Sequence, residues 1–350
     1  MSKKINVAIL FGGKSVEHEV SLQSGINVAR ALAPDRYSVQ FIGIDKEGCW
    51  NYYDPECPVD HQEDPRAICL GKKGAPVNPF SLYDIDVVFP VLHGPLGEDG
   101  TVQGLLRLAE IPFVGADVLG SSVGMDKDVS KRLVSQARVA TAHFHVLHKG
   151  APINSNELNF PLFVKPARTG SSIGITKIHE PSELLAAVEK AFNFDEKVLL
   201  EEGVEGREIQ VSVMGNQEPR ASLPCEIIPK GEFHTYESKY IDKGAADFLY
   251  PAPLDSDEVQ LIQALAIKVY QVLGCEGFAR VDFFLNSQGE VYFNEINTIP
   301  GLTQMSPYAK MWQASGVSYG MMVDQLIRLA LERHRQRSQL STSIEVLTPS

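Results

Sequence analysis

Apolar residues run almost without interruption over residues 5–11, stop at the Gly12-Gly13 pair, resume with helical spacing over 20–32, and return as a strand-like run over 37–44. This succession of periods predicts a βαβ unit that opens a parallel sheet. Residues 45–80 are rich in Pro, Gly, Asp and Cys with weak periodicity and predict a long, partly irregular connection. Val87-Val88-Phe89 has the short apolar form of a buried strand and leads through His93-Gly94 to a helix starting near Thr101.

Farther on, 126–136 reads as a helix. Residues 160–165, 174–178 and 197–202 read as strands of a smaller unit with a helix at 182–192. Strands at 208–214 and 279–295, a helix at 256–273 and a last helix at 319–335 follow, then a polar tail. The expected architecture is α/β: an N-terminal parallel-sheet domain over 1–124, then units over 125–207 and 208–336, with a tail over 337–350.

The 350 residues, 44% of them hydrophobic, exceed what one core usually holds, in keeping with several domains. A formal net charge of −12 argues against nucleic acid or an anionic membrane as partner, because both reward a basic field. A small-molecule substrate fits better. The five cysteines are odd in number and never two residues apart, which suggests neither a disulfide framework nor a zinc knuckle. The apolar run at 7–11 is too short for a signal-peptide core and no later stretch approaches a membrane span, so the expected compartment is the cytoplasm.

The sharpest chemical pattern lies at 277–297, two strand-like runs around Asn286-Ser287-Gln288-Gly289. Pairing Leu285 with Glu290 sets Arg280 opposite Glu295 and Asp282 opposite Phe293, so that Arg280, Asp282, Glu295 and Asn297 share a face. A one-residue slip would send the two polar sets to opposite faces. Two readings fit: a Mg²⁺ site, since carboxylates and an amide among apolar residues call for a cation, or an Arg280–Glu295 ion pair with the others on a solvated rim. Thr298-Ile299-Pro300-Gly301 favours the first, because a Gly after Pro offers backbone N–H groups to a ligand.

A second pattern is the apolar strand ending in Lys165-Pro166, followed by Ala167-Arg168-Thr169-Gly170-Ser171-Ser172-Ile173-Gly174. It reads as a hairpin lid over a nucleotide's phosphates or as a plain glycine-rich turn with a snorkelling lysine. Residues 8–15 superficially resemble a P-loop, but Ala8 stands where the first Gly is required. Glu19 falls either at a sheet's carboxyl edge, where ligands bind, or simply in a helix's first turn.

Taken together, Gly12 to Leu22, His93-Gly94-Pro95-Leu96-Gly97-Glu98-Asp99-Gly100, Met125-Asp126-Lys127, the Lys165 to Gly174 loop, Lys239-Tyr240 and Asn294 to Gly301 resemble the ATP-grasp superfamily. Within it, the chain is similar to the D-alanine–D-alanine ligases over nearly its whole length. The resemblance implies an N-terminal domain followed by a two-part ATP-grasp fold. It also implies ligation of two D-alanines through an acyl phosphate, with ATP and two Mg²⁺ (or Mn²⁺), in a homodimer.

Residue by residue, the resemblance implies that Lys127 and Lys165 bind phosphates under a loop carrying Ser171 and Ser172. Glu201, Glu202 and Val204 would line the adenine cleft and Glu208 would take the ribose. Asp282, Glu295 and Asn297 would hold the metals. Glu19 would bind the first D-alanine's ammonium in a trio with Ser171 and Tyr240, beside His93. Arg280 and the Gly301 N–H would form the oxyanion site, and Lys239 and Ser306 would contact the second carboxylate or the transferred phosphate. The 231–250 segment would be a mobile lid. Another ATP-grasp ligase would lack the Glu19–Ser171–Tyr240 trio, a D-alanyl-D-lactate enzyme the tyrosine. A non-enzymatic ATP-binding protein is expected to have lost Arg280, Glu295 or a phosphate lysine.

Overall fold

A computed structural model describes residues 3–53, 73–80, 82, 84–152, 158–230 and 246–341. Three sheets succeed one another along the chain. The first comprises β1 (Ile5–Gly12), β2 (Tyr37–Ile44), β3 (Trp50–Tyr53), β4 (Lys73–Pro76) and β5 (Val87–Pro90), in the order β4-β3-β2-β1-β5. β1 runs parallel to β2 and β5, joined to β2 through helix α1 (His18–Ala31), whereas β3 and β4 add antiparallel at the edge. The sheet is therefore mixed rather than purely parallel. Part of the connection expected to be irregular forms those two edge strands, each four residues long, too short for alternation to stand out from the sequence.

Both faces of β1 are buried, which explains its continuous apolar run. Val7, Ile9 and Phe11 pack on one side, Ala8 and Leu10 on the other, where α2 (Thr101–Leu108) contributes Val102 and Leu106. The first of these clusters is completed from the far end of the chain. Met322, Val323, Leu326, Ile327 and Ala330 of the last helix, Tyr319–Ser338, belong to it. The same helix sends Arg333, buried, to donate to the carbonyls of Gly115 and Phe113 at 2.6 and 2.8 Å. Burial pushes the Arg333 guanidinium down, opposed by Glu276. Arg333→Met leaves two buried acceptors unpaired and is expected to cost about 2–4 kcal/mol. A urea midpoint lowered at constant m-value checks this.

The central sheet, β6 (Phe144–His148), β7 (Leu162–Pro166), β8 (Thr176–Ile178) and β9 (Lys197–Glu202), has the order β6-β9-β7-β8. Leu162, Val164, Val198 and Leu200 face helix α5 (Leu184–Ala191) on its packed side. The third sheet contains β10 (Arg207–Gly215), β11 (Arg220–Ala221), β12 (Cys225–Pro229), β13 (Ala246–Leu249), β14 (Gly277–Leu285) and β15 (Val291–Asn297). Ile209, Val211, Val281, Phe283 and Phe293 pack on the helix Ser256–Val272, whose Ile262, Ala266, Val269 and Tyr270 recur at helical spacing. The opposite faces of the central and third sheets remain for chemistry.

Candidate active site

A cleft of about 370 Å³ lies between those faces. Alternation along β7 and β9 sends Phe163, Lys165 and Glu201 to it, since Leu162, Val164 and Leu200 are committed to the core. On β10 and β14 it sends Glu208 and Phe284, which pair across the ladder. Phe163, Val204, Ile227 and Phe284 give the cleft apolar walls with Glu202 and Glu208 among them, as a heterocycle and its sugar require. Lys127, Lys165, Ser172 and Glu295 share the lining. The residues expected to meet ATP, other than Ser171 and Lys239, therefore converge on one cavity.

The lysines are held by carboxylates. Lys165 Nζ lies 2.5 Å from Glu201 Oε1 and Lys127 Nζ 3.2 Å from Glu295 Oε2; Lys127 also donates to the Thr169 carbonyl at 2.9 Å. A third lysine, Lys131, sits 2.8 Å from Glu201 Oε2 with its side chain fully buried. Burial raises the Glu201 carboxyl, but Lys131 and Lys165 outweigh it and hold the group below the usual carboxylate range. Lys131 is absent from the sequence-based expectations. Its signal is spacing: one turn after Lys127 on helix α4 (Lys127–Gln136), with Val134 continuing the same buried stripe.

On the β14–β15 hairpin the expected face forms by another route. Leu285 pairs with Val291, not Glu290, and this register continues to Phe283–Phe293. Left uncorrected, it would put Asp282 opposite Asn294 and part the polar sets. A bulge between Asp282 and Phe283 absorbs one residue of β15, so Asp282 pairs with Glu295 and Arg280 with Asn297. Arg280 grips Asp282 through Nε and Nη2, both at 2.8 Å, and Gln210 donates to Asp282 at 3.2 Å. The Arg280–Glu295 cross-strand pairing does not occur.

Asn297 Oδ1 is buried with no hydrogen-bond partner, an orphaned acceptor on the same face as two carboxylates. No group of three His, Cys, Asp or Glu side chains suited to a metal occurs among the described residues. The set is instead two carboxylates and an amide, a donor set that fits Mg²⁺ shared with substrate phosphates.

The acid expected to meet the first substrate requires correction. Glu19 points outward, paired with Lys46 at 2.6 Å, with side chains 49% and 60% exposed. Glu17 is buried and accepts from Ser171 Oγ at 2.6 Å. The reason is the helix boundary: α1 begins at His18, leaving Glu17 in the turn that faces the loop and rotating Glu19 to the surface. Ser171 and Ser172 adopt φ of 53° and 57°, a left-handed conformation costing on the order of 1 kcal/mol or more for such residues, which the Glu17 contact helps to hold. Lys239, Tyr240 and most of the expected lid lie outside the described residues.

Beside Glu17, the His93–Gly100 segment clamps the loop that carries Gly301. His93, expected to bind substrate, is buried, with Nδ1 3.0 Å from the Ile299 carbonyl and Nε2 3.5 Å from Ser24 Oγ. Burial pushes its imidazole down, which favours the neutral form, and in that form the carbonyl contact assigns the proton to Nδ1. Glu98 accepts from Gly94 N at 2.7 Å and Ile299 N at 3.1 Å. Both backbone groups of Ile299 are thus held from the segment that follows β5. A Cβ placed on Gly301 would come 3.1 Å from Ser306 Oγ, so the two expected contacts of the reacting group adjoin.

Burial, and then Glu17, push the Glu98 carboxyl up to about 8. A carboxyl raised in the folded state binds a proton on folding, so stability is present below the usual carboxylate range and is lost as pH rises towards about 8. The urea midpoint is expected to fall across that window, and the fall to flatten in Glu98→Gln; an unchanged slope in the variant would refute the assignment.

The chain is similar to known proteins over nearly its whole length. Residues 6–116 match the family profile "D-ala D-ala ligase N-terminus" and residues 133–328 match "D-ala D-ala ligase C-terminus". The D-alanine–D-alanine ligase of Oceanobacillus iheyensis is 45% identical over 371 residues, covering 98% of this chain and 99% of that one. Among solved structures, the VanG D-Ala:D-Ser ligase of Enterococcus faecalis superposes with a TM-score of 0.81 at 37% identity, over 94% of this chain and all of that one. The D-alanine–D-alanine ligase of Bacillus anthracis complexed with ATP gives a TM-score of 0.75 at 27% identity, over 95% and 99%. On these matches, which span the first sheet, the cleft and the hairpin alike, the chain belongs to the D-alanine–D-alanine ligase family of ATP-grasp enzymes.

Proposed function

We propose that this chain joins two D-alanines into D-alanyl-D-alanine at the expense of ATP, for peptidoglycan precursor synthesis. The observation that carries the reading is the Glu17–Ser171 contact: it links the phosphate loop beside the nucleotide cleft to a buried carboxylate suited to an amino acid's ammonium. Adenine and ribose occupy the apolar part of the cleft near Val204 and Glu208. Lys127 and Lys165 bind the phosphates. Asp282, Glu295 and Asn297 would hold two Mg²⁺, whose charge would offset repulsion between the triphosphate and an incoming carboxylate.

Glu17 orients the first D-alanine so that a carboxylate oxygen attacks the γ-phosphorus; the bond to the β-phosphate oxygen breaks and ADP leaves. The free amine of the second D-alanine then attacks the acyl phosphate's carbonyl carbon. Arg280 and the Gly301 N–H stabilise the oxyanion, the carbon–oxygen bond to phosphate breaks, and phosphate departs as the nitrogen loses a proton. Holding the partners in place supplies up to about 7–11 kcal/mol. Lys239 and Ser306 hold the second carboxylate, and Tyr240 favours an amine over D-lactate as second substrate.

The N-terminal sheet supplies the first amino-acid site, the central sheet the phosphate loop, and the third sheet the metal face, dividing the chain near residues 124 and 207. We place the enzyme as a homodimer in the cytoplasm, where ATP is available; no described helix is long and apolar enough to cross a membrane. The test is phosphate release from ATP and Mg²⁺ with D-alanine, L-alanine or no amino acid, the product identified by mass spectrometry. Release that requires D-alanine and yields the dipeptide is expected. Release indifferent to D-alanine would remove the substrate assignment.

A further inference from the structure

Lys131 does not itself line the cleft, yet it contacts both of the strands that send residues to it. Its ammonium lies 2.8 Å from Glu201 Oε2 on the central sheet and 3.4 Å from the Phe293 carbonyl on the third, and it stands over the Phe293 ring at 5.8 Å. Phe293 is the last residue of the regular β15 pairing before the bulge; the next two are Asn294 and Glu295, both lining the cleft. Asn294 Oδ1 is 3.5 Å from Lys165 Nζ, so contacts run from Lys131 through Glu201 and Lys165 back to the bulged strand.

A lysine with no exposed side-chain surface is expensive to keep charged, and such groups persist only where paired. Here one carboxylate serves two cations. Were Glu201 paired with Lys165 alone, it would cancel the charge that Lys165 brings to the phosphates. With Lys131 on its second oxygen, the trio carries one surplus positive charge.

We propose that Lys131 is a positioning residue for ATP: it shares Glu201 so that Lys165 keeps its charge for the phosphates, and it pins the Phe293 carbonyl so that the bulge presents Asn294 and Glu295 to the cleft. This rests on the ATP reading above. It assigns a role in substrate affinity to a side chain that cannot itself reach substrate.

The test compares ATP–Mg²⁺ dissociation constants, KM, kcat and urea midpoints for the parent enzyme, Lys131→Met and Lys131→Met/Glu201→Gln. Parent enzyme that does not bind ATP would sink the functional reading rather than this one. Given parent binding, Lys131→Met is expected to weaken ATP by about 10- to 100-fold, the range typical of losing outer-shell support, and to raise the Mg²⁺ concentration for half-maximal activity. The second substitution restores one surplus charge and is expected to recover several-fold of the affinity. ATP binding within about twofold of the parent in Lys131→Met, with only the urea midpoint lowered, would overturn the proposal, as would a double variant no tighter than the single. Should Lys131→Met not fold, the double variant decides, since it removes the fully buried ammonium and its carboxylate together and leaves one surplus charge on Lys165, which lines the cleft: binding within about tenfold of the parent supports the proposal and a larger loss refutes it.

Discussion

Glu17→Gln is expected to lower kcat/KM for D-alanine by roughly 30- to 1,000-fold, the equivalent of about 2–4 kcal/mol for a buried charge-assisted contact. Glu19→Gln, by contrast, stays within about twofold, because an exposed pair is worth well under 1 kcal/mol or so. Both acids lie within the same turn and helix start, and only their surroundings separate them. Glu17 is buried, bonded to Ser171, and near enough to Glu98 to raise the latter's carboxyl. Among the described residues, Glu19 meets Lys46 and otherwise faces solvent. Glutamine at position 17 still accepts from Ser171 but no longer carries the charge an ammonium seeks. Loop closure should therefore survive while amino-acid affinity does not. Steady-state titration of D-alanine at saturating ATP, with the ATP dissociation constant as control, distinguishes the two effects. A silent Glu17→Gln beside a dead Glu19→Gln would return the role to Glu19.

That exchange shows where the sequence stops being legible. The motif around Gly12-Gly13 places the expected acid, Glu19, within one helical turn of the buried Glu17 that meets Ser171. Which of two acids separated by one residue points inward depends on whether the helix begins at His18 or a residue or two later, and apolar periodicity does not resolve a boundary so finely. The hairpin makes a related point. Its four polar residues do share a face, but the assumed register is off by one and a bulge restores what the slip would have undone. Alternation reports which residues agree in facing, not which pairing achieves it, and nothing in Val291 to Asn297 marks Asn294 as the extra residue.

The elements read well are those whose period is long or whose burial is complete. β2, β9 and the helix Ser256–Val272 fall within a residue of expectation because their apolar faces are committed to a core. Short pieces such as β3, β6 and α3 (Val118–Met125) escape notice for the opposite reason: each has too few residues for a period to declare itself. Lys131 was legible in principle. A lysine at the core-facing position of an amphipathic helix conflicts with the pattern, and such conflicts mark sites where a polar group has a buried partner.

Arg280→Met is expected to reduce dipeptide formation by about 100- to 1,000-fold, since loss of one oxyanion donor typically costs roughly 2.7–4 kcal/mol. The structure offers two ways for this arginine to act, and they separate experimentally. As an oxyanion donor it matters chiefly when the second amine attacks, so acyl-phosphate formation should continue. As the partner of Asp282, which it holds through two 2.8 Å contacts, it would instead shape the metal face and both steps would fail together. Gln210 remains on Asp282 at 3.2 Å in the variant, so that carboxylate keeps a neighbour and is not wholly released. Trapping the acyl phosphate with hydroxylamine, alongside dipeptide yield, reads the two steps independently. Hydroxamate that persists within about tenfold of the parent while dipeptide collapses assigns Arg280 to the tetrahedral intermediate, since a single lost donor is confined to the state it stabilises. Parallel loss, with a raised Mg²⁺ requirement, assigns it to Asp282. Arg280→Lys sharpens the distinction: it keeps the charge an oxyanion needs but cannot reproduce the two-point grip, so it should recover dipeptide synthesis only if the first role dominates.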